Sequence, residues 1–99
     1  MFYAIVGHDR PDTLPRRRAQ RPAHVQRLHA LVDAGRLLLA GPLPAIDSPD
    51  PSPAGFTGSL IVAEFASLEE ARAWAAADPY VASGIHSSVD VRPFVKSAP

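Results

Sequence analysis

Hydrophobic and polar positions fall into six patterned stretches along the chain. Phe2 to Val6 is an aromatic and β-branched run closed by Gly7 and the polar His8-Asp9-Arg10, the pattern of a buried strand. From Asp12 or Thr13 the composition turns helical, but Pro22 falls inside the stretch, and proline is tolerated only in a first turn or at a kink. The pattern therefore predicts a short helix or turn before Pro22 and a main helix from Pro22 to about Ala34. That helix carries Val25, Leu28, Leu31 and Val32 on one stripe and stops at Gly35. Leu37 to Leu43 is the second strand. Between Pro42 and Pro53 five prolines fall within twelve residues, which excludes helix and central strand and leaves a loop or flap.

Thr57 to Phe65 alternates as a third strand, with Thr57, Ser59, Ile61, Ala63 and Phe65 on one face and Leu60 and Val62 on the other. Ser67-Leu68-Glu69-Glu70 matches a capping box, and Leu68, Ala71, Trp74 and Ala75 supply the buried stripe of the helix it opens. Asp78-Pro79 ends that helix and starts a single turn. Ile85 to Val95 is the last strand, with Val89, Val91 and Val95 on one face. The order β-α-β-β-α-β packs most simply as an α+β ferredoxin-like domain, an antiparallel sheet with its helices on one face. The other sheet face then needs a cover, and a second copy of the chain, a homodimer joined through the sheets, is the expected one.

At 99 residues the chain is expected to form one domain, residues 1–99, large enough to fold without metal or disulfide staples. Cysteine is absent, which excludes disulfide frameworks, thiolate nucleophiles and cysteine-ligated metal sites. Ten basic and ten acidic residues cancel, so no global field attracts a polyanion. The first residues read as a strand rather than a signal peptide, and no apolar run approaches membrane-spanning length. A soluble cytoplasmic protein is expected, without nucleic-acid or membrane partners.

Chemistry must then come from histidines, carboxylates, hydroxyls and arginines. His24 lies beside the apolar stripe of the main helix and is directed toward the sheet, where a partly desolvated imidazole can act as a base. A satisfied histidine at the rim of the core is the plainer reading. Asp78 stands between a helix end and Pro79, which capping alone explains. In a ferredoxin-like domain, however, the loop after the second helix can approach the first helix, so an Asp78–His24 pair is geometrically open. His29 is about 140° around the helix from His24, which argues against a zinc pair. His8 and His86 are either pocket or loop residues, and Phe56 and Tyr80 either wall a pocket or close the core. Six of the ten basic residues lie between Arg10 and Arg27, and a solvated helix face is the preferred reading of Arg16-Arg17-Arg18. Gly55-Phe56-Thr57-Gly58 lacks the basic residue and second aromatic of an RNA-recognition strand, and no phosphate loop, dinucleotide fingerprint or nucleophile elbow is present.

Arg21-Pro22-Ala23-His24, Ala40-Gly41-Pro42, Gly55-Phe56-Thr57-Gly58-Ser59, Asp78-Pro79-Tyr80 and the closing Val91-Arg92-Pro93-Phe94 together resemble the YciI-like (YCII-related) family over nearly the whole chain. The resemblance implies a dimeric α/β-barrel protein, related in fold to muconolactone isomerase, with a His and Asp centred site that maps to His24 and Asp78. The family includes a dehydrochlorinase-like member acting on a hydroxylated ring, which implies proton abstraction with elimination or isomerisation. The chain departs from its relatives at His8, where they tend to carry glutamine, and at His86, where they tend to carry an aromatic residue.

The expectation is thus a cofactor-independent lyase or isomerase acting on a small cyclic or aromatic metabolite, with no bound metal. His24 removes the proton, Asp78 orients it and Arg21 neutralises an oxyanion. Gly41, Ser59 and Tyr80 contribute to the substrate pocket, and the segment from Pro44 to Pro53 excludes water. The alternative is a non-catalytic small-molecule-binding or dimeric interaction module.

Overall fold

The structure, a computed structural model, describes residues 1–99. The elements run β1 (Phe2–Asp9), α1 (Leu14–Asp33), β2 (Leu37–Pro44), β3 (Phe56–Glu64), α2 (Leu68–Ala76), α3 (Pro79–Ala82) and β4 (His86–Phe94). The strands form one antiparallel sheet in the order β2-β3-β1-β4. This is the α+β ferredoxin-like arrangement that the alternation of patterns predicts.

Register decides which face is covered. Tyr3 pairs with Ala63, Ile5 with Ile61 and Gly7 with Ser59, so these inward positions form adjacent rows on the helix side. There Tyr3, Ile5, Ile61 and Ala63 meet Leu31 of α1, Ala71 and Ala75 of α2, and Phe65. Ala63 and Ala71 are wholly buried, and residues that stop at Cβ let α2 pack close to the sheet. Phe65 sits edge-on to Tyr3 at 6.3 Å and tilted against Trp74 at 5.6 Å between ring centroids. Each large apolar side chain buried in this way stabilises the fold by about 1.5–3 kcal/mol. Ser67 caps α2 as its sequence predicts, its Oγ accepting from the Glu70 N–H at 3.1 Å.

Several details differ from the sequence reading. Helix α1 does not break at Pro22 but runs unbroken for 20 residues. Proline there removes one N–H donor and crowds one carbonyl, while the half-helix before it is anchored by side chains instead. Arg17 reaches Asp9 and the Gly58 carbonyl, and Arg16 reaches the carbonyls of Ser83 and Gly84. The buried stripe of α1 is also rotated. It reads Arg17, His24 and Leu31, two turns apart, with Leu28 alongside, while Val32 is 53% exposed. Reading a buried face from apolar residues alone misses one built partly from an arginine and a histidine. β2 runs as expected through Pro42 and ends at Pro44, one residue past Leu43, because it is an edge strand paired only with β3, where a missing N–H costs little. On β4 only Val89 and Val91 pack on the core. Val95 lies past the strand end and is exposed.

The opposite sheet face carries Phe2, Ala4 and Val6 of β1 next to Val62 and Leu60 of β3, with Leu39 and Leu43 of β2 exposed beside them. No helix is long and apolar enough to cross a membrane.

Candidate functional site

His24 projects from α1 toward the sheet and is 7% exposed. Asp78 is the N-cap of α3, in extended conformation, and its Oδ1 accepts from the Tyr80 N–H at 2.9 Å. The same carboxylate accepts from His24 Nδ1, at 3.0 Å to Oδ1 and 2.9 Å to Oδ2. Capping and histidine binding are therefore one arrangement, since the capping bond fixes the carboxylate that the imidazole meets. An ionised carboxylate only accepts, so Nδ1 carries a proton, and in the neutral ring Nε2 keeps its lone pair. No protein group hydrogen-bonds that Nε2. The Tyr80 ring lies flat on the imidazole, 4.0 Å away and 4° from parallel, which holds its plane.

Arg27 completes this side. Its guanidinium lies 4.2 Å over the Trp74 ring, its Nη2 donates to the Trp74 carbonyl at 2.7 Å, and its Nη1 comes within 4.0 Å of Asp78 Oδ2. That Nη1 is buried without a hydrogen-bond partner. Burial lowers the Arg27 pKa from its ordinary value, opposed by the charge of Asp78. Burial pushes the Asp78 carboxyl up, but the His24 and Tyr80 hydrogen bonds and the charges of His24 and Arg27 together hold it below its ordinary value.

A second histidine–aspartate pair, which pattern reading missed, lies on the other side of Tyr80. Asp9 ends β1 and His86 opens β4, and the two face each other in register after a bulge at His8/Asp9. His86 Nδ1 donates to Asp9 Oδ1 at 2.8 Å, and Arg17 Nε donates to Asp9 Oδ2 at 2.7 Å. All three side chains are more than nine-tenths buried. Arg17 is thus no solvated helix charge. Its Nη2 also donates to the Gly58 carbonyl at 2.8 Å, and its guanidinium stacks 4.7 Å over Tyr80 and 5.1 Å over Phe56. His86 Nε2 lies 3.3 Å from Ser59 Oγ. Burial raises the Asp9 carboxyl, but the His86 and Arg17 hydrogen bonds and charges outweigh it and hold the group low.

One signal in the sequence pointed here. Gly7 occupies an inward position of β1 after Tyr3 and Ile5, and a missing side chain on a buried face leaves room for something large. The occupant is the His86 ring, because a Cβ at Gly7 would collide with its Nε2. Tyr80 meets this ring edge-on at 5.6 Å and so joins the two pairs. Burial pushes the Tyr80 phenol up, Arg17 and Arg21 oppose and Asp78 and Asp9 reinforce, so it keeps its proton at neutral pH.

A cavity of about 150 Å3 opens beside these groups, lined among others by His24, Arg17, Arg21, Gly41, Ser59 and Tyr80. It adjoins an outer cavity of about 280 Å3 that shares Arg17, Arg21, Pro42 and Tyr80 and is walled by Phe56 and the proline-rich loop at Pro51 and Ser52. The sequence candidates Arg21, Gly41, Ser59 and Tyr80 therefore share one cavity with His24, and Asp78 stands behind the imidazole. Arg21 makes no ion pair or hydrogen bond within the chain. His8 faces away and bonds Asp90 at 2.9 Å, and His29 is exposed. No three His, Asp or Glu side chains converge as a metal site would require.

Residues 1–95 match the YCII-related domain. The chain belongs to this family. It is 58% identical over 96 residues to Protein YciI of Escherichia coli O6:H1, covering 97% of this chain and 98% of that protein. It is 51% identical, over the same shares of each chain, to an uncharacterized protein of Haemophilus influenzae. Among solved structures, 5-chloro-2-hydroxyhydroquinone dehydrochlorinase (TftG) from Burkholderia phenoliruptrix AC1100, in complex with 2,5-dihydroxybenzoquinone, matches with TM-score 0.82 at 27% identity, covering 96% of this chain and 94% of that one. The YCII-related chain thus has the fold of the dimeric α/β-barrel proteins.

The two low carboxyls give the fold a defined acid sensitivity. Each folded-state pKa lies below its unfolded value of about 3.9, so its contribution to stability is complete above that value and is lost as pH falls through the folded one. Urea unfolding followed by Trp74 fluorescence is expected to show stability falling below about pH 4. Asp9→Asn and Asp78→Asn proteins, weaker at neutral pH, should lose less over the same interval.

Proposed function

We propose that the protein is a lyase or isomerase that works by proton transfer on a small hydroxylated ring, with His24 as general base and Asp78 as the residue that orients it. One observation carries the reading: a buried carboxylate holds Nδ1–H of a cavity-lining imidazole whose Nε2 has no protein partner. In the reaction Nε2 takes a hydroxyl or carbon-bound proton, the bonding pair stays on the substrate, and Asp78 stabilises the imidazolium. Arg21, a cation facing the cavity, balances the charge left on a substrate oxygen. The protonated Tyr80 phenol is a further donor, and Gly41 lines the cavity on the β2 side. Proton transfer of this kind needs no cofactor. The likeness to TftG, which acts on a chlorinated hydroxyhydroquinone and binds 2,5-dihydroxybenzoquinone, favours a ring of that class for this chain too.

A binding-module reading draws on the capping bond from Tyr80 to Asp78, which gives the carboxylate a structural task of its own. Chloride release from 5-chloro-2-hydroxyhydroquinone separates the two. A catalytic His24 predicts that His24→Ala lowers kcat by about 10²–10⁴-fold in a folded protein, with Asp78→Asn lowering it as well. A wild type that binds 2,5-dihydroxybenzoquinone without releasing chloride, and variants that only lose binding or stability, support the module instead.

We also propose that the chain works as a homodimer through the open sheet face, where Leu39 and Leu43 are 47% and 38% exposed beside Val6 and Leu60. Sedimentation equilibrium should return twice the 10.6 kDa chain mass, and Leu39→Glu should return the single mass. A wild-type chain that sediments at the single mass at micromolar concentration contradicts the dimer.

A further inference from the structure

The reaction proposed above moves three protons, two off ring oxygens and one onto a ring carbon. An elimination that turns a chlorinated hydroxylated ring into a quinone replaces a C–Cl bond by C–H, so a proton must reach a ring carbon while another leaves an oxygen. His24 supplies one exchange. We propose that Ser59, His86 and Asp9 supply the second, as a relay whose Ser59 hydroxyl meets the substrate on the side of the cavity facing the sheet.

The geometry is a chain of hydrogen bonds from solvent-excluded carboxylate to cavity. Asp9 Oδ1 holds His86 Nδ1 at 2.8 Å, His86 Nε2 is 3.3 Å from Ser59 Oγ, and Ser59 lines the same cavity as His24. The seat is built for an imidazole: Gly7 omits the side chain that would collide with it. The groups facing His86 are Asp9 of β1, Ser59 of β3 and Tyr80 of α3, with Asp78 lining the same small cavity and Arg17 of α1 on the far oxygen of Asp9. Arg17 shares the Asp9 carboxylate with His86 without bonding to the ring.

The steps balance. His24 Nε2 takes a ring hydroxyl proton, and the electron pair moves into the ring. Ser59 gives its hydroxyl proton to the chlorine-bearing carbon and receives one from His86 Nε2–H. Neutral His86, again through Ser59, then takes a second hydroxyl proton, and chloride leaves with the C–Cl pair. The ring has lost two protons, gained one and released chloride, which is loss of HCl. His86 returns to its starting state and His24 gives its proton to solvent.

The relay rests on the proposed reaction, and its test reports on each separately. Chloride release from the same chlorinated ring is measured against pH for wild type, Ser59→Ala and His86→Gln, with imidazole 15N spectra of wild type and Ser59→Ala. The relay predicts a bell-shaped wild-type kcat profile. Both variants are expected to lower kcat at least tenfold, to shift KM by less than threefold and to lose the alkaline limb, and Ser59→Ala to shift the His86 Nε2 resonance. Turnover with the alkaline limb kept in Ser59→Ala, or a His86 Nε2 resonance indifferent to that change, overturns the relay and leaves His24 standing. A wild type without turnover overturns the proposed reaction and the relay's catalytic role with it. Should His86→Gln fail to fold, the milder Ser59→Ala decides.

Discussion

Two carboxylates withdrawn from water impose the order of one end of this molecule. Removing such a group from water costs several kcal/mol unless charge and hydrogen bonds replace the lost hydration. Asp78 finds them in His24, the Tyr80 N–H and nearby Arg27, and Asp9 finds them in His86 and Arg17. Each therefore fixes a histidine tautomer and a ring position as a by-product of its own solvation. The positions of α1, α3 and the first residue of β4 are set by the same bonds, so the fold and the candidate site are not separable here.

Tyr80 shows how closely the two are joined. It is 1% exposed, it stacks flat on His24, meets His86 edge-on and carries the Arg17 guanidinium over its ring. Its backbone N–H caps against Asp78. One aromatic side chain thus holds two imidazoles at fixed orientation, which is the preorganisation that proton transfer requires. Under the proposed reaction, substitutions at this end move stability and reactivity together, and kinetic readouts rather than melting points separate their roles.

The sequence was informative where apolar periodicity coincided with burial. The apolar run Phe2–Val6, the alternation through Thr57–Phe65, the Ser67 cap and the Asp78-Pro79 turn each led to the observed element. It was misleading where polar residues are buried. Arg17 sits in a run of arginines and reads as solvated, because nothing local shows that Asp9 awaits it across the sheet. The same arginine anchors the first half of α1, so the continuity of the helix past Pro22 was illegible for the same reason. His24 and Asp78 were legible as candidates, yet their contact spans 54 positions and depends on how α3 docks. Asp9 and His86, 77 positions apart, gave no sign of each other beyond the gap at Gly7.

The central claim is that Asp78 fixes the proton of His24 on Nδ1 and leaves Nε2 free toward the cavity. Imidazole 1H–15N correlation of the wild-type protein, at a pH where His24 is neutral, reads this directly. The account predicts the Nδ1–H tautomer with a bare Nε2, and loss of that preference in Asp78→Ala. A neutral His24 carrying its proton on Nε2 in the wild type would contradict it.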